Sequence, residues 1–547
     1  MTKKLKRLWH DVYGDKHEGK LNELINLLEE RKNELSYIPD DPEWYKKGIV
    51  YSMYVDLFAD DFSGLIDKLD YLDDLGVSAI WLLPILDSPM VDQGFDVSDY
   101  YQIREELGTN EDFFEFIAAA HERGIKIIFD VPINHSSEQH EWFLNAKQSK
   151  DAEYRDYYIW HQDKQKYEDT RLLLKGISNS NWTYNPETDD YYFHRFYDIQ
   201  PDLNYKNPQV LIEMIKVFTY WKLQGVDGFR MDAAPFLWKK EGTNCENLEE
   251  THKILKIYRA ALDYLGAGTA IIAEANQRPE DVVDYLGQGD ECHVAYNFPI
   301  MPKFYLALAE HDPSYLIEEL ESNADLNVPD SAQWFTFLRC HDELTLEFVT
   351  EEERQKMNQY YLKDEKWTFR DGEGIAGRLY DLVDQNADKV LLMYSMLFSI
   401  EGTPIIYYGD ELGMENDIEF YKQMNQKTGY VDSRFLNRGP FSEKLQEEVL
   451  NNPDSDSRQI FRGLQEMIAV KEQESELFTV TPEYRQQDNV FISTRELDGK
   501  KLTIYNNLSG KEVIINDIKL APNHYSWELT VNNHDHDHNH DHNHNHS

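Results

Sequence analysis

Gly228-Phe229-Arg230-Met231-Asp232 is a short apolar run that ends on a carboxylate, with a guanidinium two residues before it. Side chains alternate along a strand, so Arg230 and Asp232 share one face. Three other runs end in the same way. Ile125–Phe129 leads into Asp130-Val131-Pro132-Ile133-Asn134-His135, Ala270–Ala275 carries Glu274 at its end, and Trp334–Leu338 leads into Arg339-Cys340-His341-Asp342-Glu343. Polar groups collected at the C-terminal ends of buried strands are the way a (β/α)₈ barrel builds its site.

Outward from these four runs, Ile49–Tyr54, Ala79–Leu83, His293–Phe298 and Pro404–Tyr408 read as further strands. Stretches of helical spacing such as Ser63–Leu75 and Asn110–Arg123 separate them. Alternating βα units imply a parallel sheet, and about eight of them predict an α/β fold of the TIM-barrel type over residues 46–475. The interval between the third and fourth strands is too long for one helix, so residues 135–205, rich in Tyr, Trp, Asp and Asn, are expected to form an inserted subdomain. Before the barrel, residues 1–45 form a helical extension with Leu21, Leu24, Ile25, Leu27 and Leu28 at helical spacing, closed by Pro39 and Pro42. After it, residues 476–532 carry only strand patterns (Val490–Thr494, Leu502–Asn506, Lys511–Ile515, Ser526–Leu529) and predict a small all-β domain. Residues 533–547 alternate His with Asp and Asn, a polar tail expected to be disordered that would bind Ni²⁺, Zn²⁺ or Cu²⁺ only loosely.

The bulk composition excludes several roles. With 101 acidic against 55 basic residues in 547, the formal net charge is −46. That field repels nucleic-acid phosphates and anionic membrane surfaces and leaves a neutral sugar unaffected. Three dispersed cysteines, Cys245, Cys292 and Cys340, give neither a disulfide framework nor a zinc spacing, and suit a reducing compartment. The basic N-terminus has no apolar run after it, and nothing in the chain is long and apolar enough to span a membrane. A cytoplasmic enzyme is the expectation; oligomeric state is not encoded in any pattern here.

The strand-end groups suit glycoside chemistry with retention, which uses two carboxyls about 5–5.5 Å apart, one ionised and one protonated. Asp232 and Glu274 lie one βα unit apart, as adjacent strand ends. Arg230 would keep Asp232 ionised, and Glu274, beside another carboxylate, would hold a proton for the leaving oxygen. Asp342, His135 and His341 are placed to bind sugar hydroxyls as the ring flattens towards an oxocarbenium ion.

In order and content these segments, with Gln200-Pro201-Asp202-Leu203-Asn204 as a fifth, resemble the signature regions of the α-amylase superfamily, glycoside hydrolase family 13. The resemblance implies a TIM barrel with a B subdomain inserted after the third strand and a C-terminal β-sandwich. It implies Asp232 as nucleophile, Glu274 as acid/base and Asp342 as transition-state stabiliser, with His135, Arg230 and His341 around the −1 glucose and Gln200 on the inserted subdomain's side. Asp92, in Asp92-Gln93-Gly94-Phe95, matches a position that closes this subsite in exo-acting members by pairing with an arginine, here Arg438. Phe95 stands where relatives carry tyrosine. A closed end favours a disaccharide such as maltose, trehalose or sucrose.

Within the family, Glu241–His252, Ala273–Gln277, Gly289–His293 and His341–Glu347 resemble the trehalose synthases, which interconvert maltose and trehalose. The helical extension, Tyr54–Ala59 and Cys340 resemble amylosucrases, and Asp432–Phe441 departs from the trehalose-synthase pattern. A trehalose-synthase-like transglucosylase is the leading expectation, and a hydrolase of short α-glucosides or an amylosucrase-type transferase the alternatives. No cofactor is required. Many relatives hold Ca²⁺ with the counterparts of Asn134 and Asp202 and a glutamate after strand four; Lys239 stands at that last place, where its ammonium would repel the ion and replace its charge.

Overall fold

The structure is a computed structural model that describes residues 2–531; the histidine-rich tail at 533–547 lies outside the described residues. Eight parallel strands close a barrel: β1 (Val50–Met53), β2 (Ala79–Leu82), β3 (Lys126–Pro132), β4 (Gly228–Asp232), β5 (Ala270–Ala273), β6 (Val294–Tyr296), β7 (Gln333–Phe337) and β8 (Thr403–Tyr407). Each pairs with its neighbours in chain order, and β8 closes on β1 through Val50 opposite Ile405. Helices such as Phe62–Leu75, Pro208–Leu223 and Ala387–Ser399 cover the outside. Strands covered on both faces read as continuous apolar runs, which is why Ala270-Ile271-Ile272-Ala273 is buried at every position.

The register across β4 and β5 matters for chemistry. Met231 lies opposite Ala273, so the next residues, Asp232 and Glu274, leave the barrel side by side. The Glu274 amide donates to the Met231 carbonyl at 3.1 Å and extends the ladder by one bond.

Between β3 and β4 the chain leaves the barrel and returns through two isolated bridges, His135 with Asp202 and Tyr158 with Leu203. Beyond that neck lies a three-stranded antiparallel sheet of Trp160–His161, Asp190–Phe193 and Trp182–Asn185. The two opening helices, α1 (Thr2–Tyr13) and α2 (Glu18–Glu34), bury Leu5, Leu8, Trp9 and then Leu21, Leu24 and Leu28. α1 packs on the helix Glu249–Leu265, and the Tyr13 hydroxyl donates to the Tyr205 carbonyl at 2.8 Å, tying the extension to the end of the insertion.

At the C-terminal end Glu483–Gln487, Val490–Leu497, Lys500–Asn507 and Tyr525–Val531 form an antiparallel sheet in that order. A hairpin of Val513–Ile515 and Ile518–Leu520 sets Ile515 and Leu520 against Val490, Ile492 and Tyr505, giving a second layer. The sheet is bound to the barrel by Ser493 and Arg495, which donate to the carbonyls of Ser399 and Ile400 at 2.6 and 2.7 Å. Among the described residues no helix is long and apolar enough to cross a membrane. All three cysteines are free thiols and buried.

Candidate active site

Asp232, Glu274 and Asp342 line one small cavity of about 110 Å³ at the C-terminal mouth of the barrel. The turn after β4 brings the first two together. Ala233 takes a left-handed backbone, φ 59° and ψ 33°, which costs a residue with a Cβ about 1 kcal/mol. That turn aims the Ala233 amide at Glu274, which accepts it through Oε2 at 3.1 Å. Backbone strain at this point fixes the acid/base candidate against the nucleophile candidate.

Arg230 stands behind this pair, 3% exposed at its side chain, with Nη1 3.4 Å from Asp232 Oδ1 and 3.3 Å from Asp130 Oδ1. Asp130 also accepts from the Trp81 indole at 2.9 Å. Burial raises the proton affinity of Asp232, and the charge of Glu274 adds to it while Arg230 opposes. Burial raises Glu274 as well, against Arg230 and the Ala233 amide. Asp342 also raises Glu274, and with both carboxyls pushed up the pair holds a proton. The direct ion pair with Arg230 favours the charge on Asp232 and the proton on Glu274.

Asp342 differs. Burial works against its charge, yet its environment holds it well below the usual carboxylate range. Its Oδ1 accepts from Arg434 Nη1 at 3.0 Å and Arg438 Nη2 at 3.2 Å. His341 Nε2 lies 3.2 Å from Oδ2. Burial depresses the His341 imidazole well below its ordinary value, so at neutral pH it carries no charge. The two guanidiniums are the cations that keep Asp342 ionised.

The remaining wall is aromatic and polar. Phe95 stacks on His341 with ring centroids 5.7 Å apart and planes 21° apart. His135 and His341 each leave one buried ring nitrogen, Nε2 and Nδ1, with no hydrogen-bond partner, as groups awaiting a polyhydroxylated ligand would. Burial brings His135 down to about 4. Asp92 also lines the cavity, and burial pushes it up to about 7.

One expected pairing is replaced. Arg438 was expected to meet Asp92; it instead donates to the His341 carbonyl at 2.8 Å and to Asp342. Asp92 accepts from Gln200 Nε2 at 2.9 Å, and Gln200, fully buried, stands behind Asp92 rather than facing the cavity. The physical reason is charge: the guanidiniums turn to the carboxylate that is ionised, and the one burial drives towards its neutral form takes an amide.

The cavity includes groups that the strand-end pattern does not reveal: Leu174, Phe196 and Tyr197 from the insertion, and Arg370 from the segment between β7 and β8. Arg370 and Asp371 both adopt positive φ, 46° and 53°, an unusual pair that turns the chain at the cavity. Through Asn276, one of its lining residues, the cavity connects to a strap of ion pairs. Arg171 of the insertion donates to Glu246 through Nη2 at 2.9 Å and to Glu347, after β7, through Nη1 at 3.1 Å. Gln277 and Asn276 join the same carboxylates at 3.4 Å.

At the neck of the insertion, the Lys239 ammonium lies 2.7 Å from Asn134 Oδ1 and 2.7 Å from Asp202 Oδ2, with Leu237 O at 3.4 Å. The oxygens that would ligate Ca²⁺ are already occupied by a cation fixed to the chain. The residues present do not fit the ion, and no part of the chemistry is routed through it.

The model of the α-amylase catalytic domain matches residues 52–509. The chain is 45% identical over 388 residues to the trehalose synthase/amylase TreS of Mycobacterium tuberculosis, covering 69% of this chain and 64% of that protein. It is 40% identical over 501 residues to the trehalose synthase of Thermus thermophilus, covering 86% of this chain and 51% of that one. The chain therefore spans between half and two thirds of the length of these relatives. Among solved structures it is similar to the α-amylase of H. orenii, with a TM-score of 0.68, 28% identity and coverage of 86% of this chain and 91% of that one. With the carboxylates at the ends of β4, β5 and β7 and the insertion after β3, these matches make the chain a member of the α-amylase family.

Proposed function

We propose that this enzyme isomerises short α-glucosides, maltose to trehalose first among them, through a covalent glucosyl–Asp232 intermediate. The observation that carries the reading is the small size of the cavity, whose lining residue Asn276 is tied to the Arg171 ion pairs through Glu347, since isomerisation requires the released glucose to stay and water to stay out. The names of the two relatives, a trehalose synthase/amylase at 45% identity and a trehalose synthase at 40%, support it.

In the first half-reaction the Glu274 carboxyl gives its proton to the glycosidic oxygen. The Asp232 carboxylate attacks the anomeric carbon from the other face, the C–O bond breaks, and a glucosyl ester forms. Positive charge on the flattening ring is offset by Asp342, whose arginine partners keep it ionised. The freed glucose turns, Glu274 takes the proton from its anomeric hydroxyl, that oxygen attacks the anomeric carbon, and Asp232 leaves. Arg230 keeps the nucleophile charged between turnovers.

Hydrolysis is the second reading, favoured by one observation: the Arg171 side chain is 45% exposed, so the strap lies at the surface where water can part it. Three buried free thiols support a cytoplasmic setting. The test is incubation with maltose, trehalose and sucrose separately, followed by chromatography. Trehalose from maltose with little glucose is expected. Glucose alone from maltose would replace the isomerase by a hydrolase, and fructose with a growing glucan from sucrose would replace it by an amylosucrase-type transferase.

A further inference from the structure

Among the described residues three lysines are buried beyond nine-tenths: Lys222, Lys239 and Lys471. The first two offset the cost of burying an ammonium with acceptors. Lys222 donates to the Gly266 carbonyl and the Thr269 hydroxyl, and Lys239 to Asn134 and Asp202. Lys471 differs: its Nζ makes no hydrogen bond and no ion pair among the described residues. It sits in the last turn of the helix Asp456–Gln473, 4% exposed, on the wall of a cavity of about 360 Å³. Gly48, Ser78 and Lys126, at the starts of β1, β2 and β3, line the same cavity, which therefore lies on the N-terminal face of the barrel, opposite the catalytic mouth. We propose that Lys471 is a carboxylation site, where the free amine adds to carbon dioxide and becomes a carbamate.

The step needs a lone pair on nitrogen, and the surroundings supply it. An ammonium carries three donors, so burial without an acceptor favours the neutral amine. The charged groups on the cavity wall are Asp41, Asp73 and Glu472 against Lys47, Arg123 and Lys126, and none of the three acids comes within 4.0 Å of the Lys471 Nζ. What Nζ does face is the Phe478 ring, 4.8 Å away at its centre, and the Arg495 guanidinium stands 4.8 Å from the same ring. Burial, with the charge of Arg495 added, brings Lys471 down to about 7. In the reaction the Nζ lone pair attacks the carbon of carbon dioxide and an N–C bond forms. One C=O π pair moves onto oxygen, and an N–H proton leaves to water.

Charge and access select the electrophile. The field of Arg495 that opposes a cation at Lys471 favours an anion there, and a carbamate is that anion. Carbon dioxide has three atoms and no charge, so it reaches an amine with so little open surface more readily than an acyl thioester or a sugar aldehyde does.

The test is to equilibrate the wild-type protein near neutral pH with isotopically labelled carbon dioxide, trap carbamates with triethyloxonium ion, and read the ethyl adducts by peptide mass spectrometry. Lys471 is expected to carry at least about tenfold more adduct than an exposed lysine such as Lys501, because the amine fraction falls tenfold for each unit of pH below the pKa. In the unfolded chain Lys471 is protonated and unreactive, so carbon dioxide binds the folded state alone and stabilises it. At fixed pH and ionic strength it is therefore expected to raise the melting temperature of the wild type and to leave that of Lys471→Met unchanged. No adduct on Lys471, an adduct no greater than on Lys501, or an equal rise in melting temperature for the variant would overturn the assignment. The trapping uses the wild type alone and decides the matter even if Lys471→Met fails to fold.

Discussion

Lys239 and Asp202 meet at 2.7 Å in the interior, one in the loop after β4 and the other at the neck of the insertion. Breaking a buried ion pair from one side leaves an uncompensated charge, at a cost of about 3–5 kcal/mol. K239A is therefore expected to lower the unfolding free energy by that amount in urea denaturation. Because the ammonium already occupies the oxygen ligands, dialysis against EDTA is expected to change neither the melting temperature of the wild type nor its turnover of maltose. Loss of either on chelation, restored by Ca²⁺, would contradict the substitution of metal by lysine.

The positions of Asp232 and Glu274 predict separable defects. D232N removes the nucleophile and is expected to abolish turnover of every α-glucoside with the fold intact by circular dichroism. E274Q removes the proton donor, a contribution of roughly 10²–10⁴-fold. Its loss should be severe with maltose and mild, for the first half-reaction, with 4-nitrophenyl α-glucoside, whose leaving group needs no proton. Equal losses on both substrates would take Glu274 out of the acid role.

The barrel and the carboxylate exits were legible because a strand buried on both faces writes itself as an apolar run stopped by a polar group. Ala270–Ala273, followed by Glu274, and Gly228–Asp232 are such runs. The edge strand Glu483–Gln487 was not legible, since its residues are nearly all exposed and polar and no periodicity marks it. In the insertion, strands as short as Trp160–His161 owe their existence to aromatic packing, such as Phe143 stacked on Trp160 at 5.8 Å. Arg370 and Arg171 escaped for a different reason. Each reaches the site from a segment without a strand exit, and a side chain's long-range partner is not encoded at its own position. The pairing of Arg438 followed the charge states of Asp92 and Asp342, which only burial decides.

Asp92 carries a pH dependence with a definite sign. Its folded-state value, about 7, lies above that of an unfolded aspartate, so the native protein binds its proton more tightly. The stabilisation from that proton is complete below about pH 4 and is lost as pH rises to about 7. D92N removes the group. Denaturant titrations at pH 5 and pH 8 should then show a smaller fall in stability for D92N than for the wild type. An equal fall would place the ionisation elsewhere, Glu411, also raised to about 7, being the next group to substitute.

Arg171 links the insertion to Glu246 and Glu347, and under the proposed function the partition of the glucosyl intermediate is expected to depend on that link. Its exposure means the ion pairs contribute little to global stability, about 1 kcal/mol or less each. R171A should therefore fold normally and still form the intermediate. What changes is competition between water and glucose for the anomeric carbon. The ratio of free glucose to trehalose formed from maltose is expected to rise several-fold, with maltose consumption altered much less. The opposite pattern, slower consumption at a constant product ratio, would show that the strap positions substrate and that water is excluded by the cavity walls alone.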